Sequence, residues 1–244
     1  MQRLLAGTAM APANWDLLKK ETYSMNRYAF AAATAAALVA VTGGIAAAPA
    51  IFAQGAPQVP GVQDPARVTA GTYALDAGHT LVGWEVSHFG FNDYLGLFGN
   101  ITGTMTMDPA NIEAAKVEVM VPIAEVSVAS AGLKDHLLRP GKDGGAPDFF
   151  GPTPGMATFT STKVVKTGDM TADVTGTLTM NGKSAPVTLA TEFVGAGANP
   201  FNKKDTVGFH ARTTIDRTQW GVNYGAPFVG KDVTLTISAA FEKQ

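Results

Sequence analysis

The sequence predicts an all-β protein, an antiparallel up-and-down β-barrel with one short helix near the barrel mouth. Three features point there. Apolar and polar residues alternate with a period of two through stretch after stretch, which gives each strand one buried face. Gly, Thr and Val recur through the second two-thirds of the 244 residues, whereas cysteine is absent, and that usage leans toward β structure. Small residues recur at positions that share a face with the apolar ones: Gly99, Gly103, Ala172, Gly176, Ala211 and Ala239. Small inward residues leave room, which suits a barrel better than a sandwich, the runner-up. A ring of about eight strands has an interior that side chains just fill or that holds one small ligand.

The elements follow in order. Tyr73–Leu75 is a short strand, and Leu81–His88 places Val82, Trp84, Val86 and His88 on one face. Phe89, Phe91, Tyr94, Leu97 and Phe98 form an aromatic-rich turn broken by Gly90, Gly96 and Gly99. Together with the preceding strand they read as the wall and lip of an apolar cavity. Leu97–Met107 is expected as one strand with Leu97, Ile101, Met105 and Met107 inward, followed by a turn at Asp108–Asn111. Lys116–Ile123 turns Val117, Val119, Val121 and Ile123 inward. Between Val128 and Arg139 the period changes: Leu133, His136 and Leu137 share one helical face, with Ser130 or a neighbour as the cap. The run from Arg139 to Pro147 ends that helix. Phe149 and Phe150 follow in a loop, where two large rings need something to bury them. Strands resume at Met156–Val164 and Met170–Met180, and Asn181-Gly182 is a strong hairpin signal. Pro186–Phe193, Thr206–Ile215 (with Val207, Phe209 and Ala211 inward) and Val233–Phe241 complete the set.

Domain organisation is expected as one barrel from residue 68 to 244, preceded by a Pro-, Gly- and Gln-rich linker at 54–67. From Met25 a positive start, an apolar run from Ala29 to Ala48 and the small residues of Pro49–Ala53 describe a signal peptide at 25–53. Residues 1–24 do not suit the front of one and read as an extension upstream of the true start. A periplasmic protein with no membrane span after cleavage is therefore expected. The competing reading of the apolar run is a transmembrane anchor.

Composition excludes several functions. Without cysteine there is no disulfide framework, thiolate metal site or cysteine nucleophile. A net charge of -2 offers no basic footprint for nucleic acid. The histidines are His79, His88, His136 and His210. His88 falls on the inward face and His210 on the outward one. Asp76 and His79 are expected to organise the turn between the first two strands. His136 shares its face with Leu133 and Leu137, which suits a ligand or plug contact. No metal site, no cofactor and no catalytic group are expected. Gly-x-Ser-x-Gly is absent, and Ser87 and Ser161 sit in mid-strand without a nucleophile elbow. A rival reading makes the protein an enzyme acting on a bound lipid through His88 and Asp135. A third makes it a solidly packed stress or structural barrel.

The motifs Tyr73-x-x-Asp76-x-x-His79, His88 at the end of the next strand, and Gly96-x-Phe98-x-x-x-x-Gly103 resemble the YceI-like family. The likeness continues through Lys134-Asp135-His136-Leu137, Asp148-Phe149-Phe150, Phe159–Thr162, Gly176-x-Leu178-x-Met180-x-Gly182, Ile215-Asp216-Arg217 and Trp220-Gly221. It covers the region from Tyr73 to Phe241. It implies an exported, lipocalin-like barrel, often dimeric, that holds a polyisoprenoid or other long-chain amphiphile in an apolar tunnel. The segment Arg139–Pro147 departs from the family by being longer and more Gly-rich, which bears on the tunnel mouth. On both grounds the candidate ligand-binding residues are Trp84, Val86, His88, Phe89, Phe91, Phe98, Ile101, Met105, Val119, Leu133, His136, Leu137, Phe149, Phe150, Phe159, Leu178, Phe209 and Trp220. The expected partner is an isoprenoid or other long-chain lipid, with a homodimer as a possible assembly.

Overall fold

Alternation becomes a closed antiparallel ring in the computed structural model, which describes residues 58–244. The expectations for residues 1–24, the signal peptide at 25–53 and the start of the linker lie outside the described residues. The strands are β1 (Gly71–Leu75), β2 (Leu81–His88), β3 (Asn92–Phe98), β4 (Thr102–Met107), β5 (Lys116–Pro122), β6 (Met156–Lys166), β7 (Thr171–Met180), β8 (Lys183–Ala198), β9 (Asp205–Asp216) and β10 (Val229–Lys243). The helix α1 spans Ala131–Leu138. Lengthwise, β10 pairs with β1 through Phe241–Lys243 and with β2 through Val229–Ser238. So β1 and β2 act as one long, bent strand, β3 and β4 as the next, and the ring closes as eight antiparallel staves in chain order.

The bend between β1 and β2 is built by Asp76. Its carboxylate accepts from Gly78 N at 3.0 Å and lies 2.7 Å from His79 Nδ1. Thr80, fully buried, accepts from Ala240 N and ties the bend to β10. The matching break between β3 and β4 was not expected from sequence. Asn100 takes a left-handed φ of 52° there, and the phase of alternation slips across it. Phe98 and Ile101 both face inward, and Leu97, expected inward, stands 44 % exposed on the outer face. The aromatic stretch after His88 is likewise a hairpin: Phe89 and Gly90 supply positive φ at the turn, and β3 then runs alongside β2. At Asn181-Gly182 both residues have positive φ, as a tight two-residue hairpin requires.

The two ends of the barrel differ. At the lower end the connections are 108–115, 167–170 and 199–204, and an N-terminal strap crosses them, with Val62 pairing to Ala196 in both directions. At the upper end lie the β2–β3 turn, the long passage from β5 to β6 that contains α1, the β7–β8 turn and the loop from β9 to β10. The backbone of β3 pairs with the chain beyond β5 only at Leu97–Ser127 among the described residues, at the lower end of β3, and is unpaired on that side above it. Through that splayed seam α1 enters. Ser130 Oγ caps it by accepting from Leu133 N at 3.2 Å, and Arg139, extended before Pro140, stops it.

Candidate functional site

Inward side chains form two clusters stacked along the barrel axis. The lower one, around Tyr73, Ile101, Met105, Val207 and Phe241, is packed solid. The upper one, around Phe98, Ile123, Leu137, Phe159, Met180 and Trp220, surrounds a cavity of about 800 Å³. Val82 and Val121 touch both clusters and mark the floor. Such a volume lies within the range of pockets that enclose a drug-sized ligand.

Of the expected ligand residues, Trp84, Val86, His88, Phe89, Phe98, Leu133, His136, Leu137, Phe149, Phe150 and Leu178 line this cavity. Seven do not. Ile101, Met105, Val119 and Phe209 belong to the lower cluster, because an inward position says nothing about height along the axis. Phe159 is spent on the wall, its ring seated on Gly176, where a Cβ would come within 2.5 Å of it. Trp220 is 1 % exposed and donates its indole N–H to Leu178 O at 3.0 Å, so it is spent on packing within the upper cluster and does not reach the lining. Phe91 is 90 % exposed, outside the lining. Some inward glycines therefore seat neighbouring groups and do not open space. Gly103 is another, with a Cβ there falling 2.4 Å from Glu118 O.

Trp84 defines one wall. Its indole lies on Gly96, where a Cβ would fall 2.2 Å from the ring, and it stacks on Tyr94 with centroids 6.3 Å apart. Its N–H is buried with no acceptor among the described residues, so shape alone holds the ring. Across the mouth, Leu133 and Leu137 of α1 face the cavity. Phe150 N donates to Leu137 O at 3.0 Å, which brings Phe149 and Phe150 beside the helix. His136 Nε2 lies 2.8 Å from Asp148 Oδ2, and Arg139 Nη2 donates to the same oxygen at 2.8 Å. The Arg139 guanidinium, then the His136 imidazole, hold the Asp148 carboxyl below the usual carboxylate range. The His136 ring also stands edge-on to Phe149 and Tyr224, at 5.1 and 4.7 Å. This latch joins α1, the Phe149–Phe150 loop and the β9–β10 loop.

The largest continuous group of lining residues that sequence reasoning missed belongs to that last loop. Tyr224, Phe228 and Val229 line the opening, as does Arg217 at the end of β9. Arg217 is 5 % exposed. It donates to four main-chain carbonyls: Gly230 by Nε, Val222 by Nη1, and Tyr224 and Val229 by Nη2. Burial draws its pKa down, and the carbonyls replace the water it has lost. The loop is thereby pinned from within. Ile215-Asp216-Arg217 and Trp220-Gly221 were the sequence signals pointing to it.

Asp135, paired with His88 in the enzyme reading, is exposed on α1 and does not line the cavity. His88 is exposed at the lip, and His210 is exposed on the outer face. Among the described residues no group of three or more His, Cys, Asp or Glu is arranged to hold a metal. No helix among them is long and apolar enough to cross a membrane.

Comparison with known proteins gives a consistent result. The model of the YceI-like domain matches residues 73–241. A UPF0312 protein of Ectopseudomonas mendocina is 34 % identical over 172 residues, covering 69 % of this chain and 86 % of the relative. Among solved structures, the YceI protein of Campylobacter jejuni superposes with a TM-score of 0.54 at 25 % identity, covering 65 % of this chain and 90 % of that one. BcnA of Burkholderia cenocepacia superposes with a TM-score of 0.57 at 20 % identity, covering 68 % and 98 %.

Proposed function

The chain belongs to the YceI-like family, and on that premise we propose that it binds a long-chain amphiphile, an isoprenoid quinone or polyprenyl lipid, in the upper half of its barrel. The observation that carries this reading is the cavity of about 800 Å³ walled by Trp84, Phe98, Leu133, Phe149, Phe150 and Leu178. Burying roughly 330 Å² of tail at about 25 cal/mol per Å² is worth about 8 kcal/mol, a micromolar affinity before ordering costs. A polyprenyl tail exceeds that area, so affinity resides in the tail. His136, Asp148, Arg139 and His88 stand at the mouth, where a headgroup would lie.

Binding fits these groups better than catalysis. His136 lines the cavity with Asp148 behind it, that carboxylate is shared with Arg139, and no hydroxyl hydrogen-bonds to His136 among the described residues. The apolar run from Ala29 to Ala48 supports export, with carriage, storage or protection of the lipid in the periplasm as the task. The test is lipid extraction and native mass spectrometry of protein purified from its own host. A stoichiometric long-chain lipid is the expected result; protein recovered repeatedly without one would refute the reading.

A further inference from the structure

We propose that the open end of the barrel docks onto the hydrocarbon surface of a lipid bilayer, so that cargo passes between membrane and cavity without crossing water. This rests on the lipid-binding reading above. The docking rim consists of two of the four upper connections, the β2–β3 turn and the tip of the β9–β10 loop. Phe91 is 90 %, Phe228 69 %, Phe89 52 % and Tyr224 46 % exposed, and clustered exposed aromatics of this kind mark contact surfaces. The two tips form one body: Phe89 N donates to Phe228 O at 2.8 Å, and the rings stack with centroids 6.2 Å apart.

Three observations select a bilayer as the occupant. The first is continuity. Phe89, Tyr224 and Phe228 are exposed and also line the cavity, so apolar surface runs unbroken from the wall to the outside. The second is charge. Neither His88–Asn92 nor the whole run from Thr218 to Gly230 contains a Lys, Arg, Asp or Glu. Nothing charged must be desolvated when these tips enter a headgroup layer, and no ionic complementarity to a protein partner is offered. The third is the contrast with the other connections: those of the lower end carry Asp108, Glu113, Asp169, Lys203 and Lys204 with one exposed aromatic, Phe201, and the β5–β6 passage beside the two tips carries Lys134, Asp135, Arg139, Lys142, Asp143 and Asp148, so uncharged aromatic surface is confined to the two tips. The rim is also held out by design: Arg217 pins the backbone at Val222, Tyr224, Val229 and Gly230.

The chain has no cysteine, so one probe can be placed at each end. Phe91→Cys and Phe201→Cys, made in the producing host and labelled with a polarity-sensitive fluorophore, are mixed with neutral phosphatidylcholine vesicles. The label at position 91 should shift to the blue, and keep that shift at about 0.5 M salt, where charge attraction is screened; the label at 201 should not move. Phe91→Ser should lower vesicle partitioning about tenfold or more. It should slow cargo uptake from vesicles and leave the retention of cargo already loaded unchanged, because Phe91 lies outside the lining. No shift at 91, equal shifts at both ends, a shift only at 201, or sedimentation showing the rim sealed by a second copy would overturn the docking surface alone. If neither protein ever takes up or retains a lipid, the carriage reading fails and takes this one with it.

Discussion

The lower and upper halves of the barrel are built from the same strands with the same alternation, yet one is solid and the other hollow. In the lower half, Tyr73, Ile101, Met105, Val207 and Phe241 meet across the axis, the strap at Val62 crosses the end, and each stave pairs on both sides. In the upper half, the seam between β3 and the chain beyond β5 opens, and α1 with the Phe149–Phe150 loop covers the gap without filling it. Stability and binding are thus separated along the axis. The packed end holds the ring closed, while the open end is wide because its strands need not converge. What keeps the open end in shape is a few polar ties: Arg217 under the β9–β10 loop and Asp148 between α1 and its neighbours.

That division can be broken deliberately, beginning in the packed half. Ile101→Ala removes a fully buried side chain and should cost about 3–4 kcal/mol. For a domain of this size that is a fall of about 10 °C in melting temperature, with lipid retention at lower temperature unaltered. Thermal denaturation paired with lipid counting checks both halves of the expectation. Arg217→Ala leaves four carbonyls, that of Val222 buried and the others partly so, without their donor and should cost about 3 kcal/mol. Hydrogen exchange should rise at Val222–Gly230 before it rises in β1 or β4; uniform exchange would mean that the loop is not a separate unit.

Effects in the hollow half should fall on binding. Phe150→Ala should reduce lipid retention about tenfold and stability by only about 1 kcal/mol; losses of equal size in both would mean the ring serves as core. The smallest effect is one of pH. Asp148 has a folded pKa below its ordinary value, so the ordering it contributes is complete above about pH 4 and is lost as pH falls toward the lowered value. Lipid release should therefore accelerate in acid. Asp148→Asn should release faster at neutral pH and flatten that acid dependence, as a pH series of release rates would show.

Much of the architecture was legible because alternation is a local signal. Val82, Trp84, Val86 and His88 had to share a face, and the Asn181-Gly182 turn and the Ser130 cap are written in short windows. The break at Asn100 was not, since a left-handed residue between two polar-inclined strands leaves no periodic trace, and Leu97 was turned the wrong way in consequence. The site was legible in direction but not in height. Ile101 and Met105 obey the same rule as Trp84 and Phe98, and only the closing of the ring decides which of them meets the cavity. Tyr224 and Phe228 escaped because they lie in a Gly- and Pro-punctuated loop whose position depends on Arg217 reaching back from β9. Gly176 misled in another way: it read as room for a ligand, and it holds the ring of Phe159, as Gly96 holds that of Trp84.

The division between a solid and a hollow half is tested most directly by a crystal structure of protein purified with its native contents. Elongated density should run from the mouth beside His136 and Tyr224 down to Val82 and Val121 and stop there. An upper cavity collapsed onto Phe149 and Phe150, or a ligand threaded past Tyr73 and Ile101 into the lower half, would contradict it.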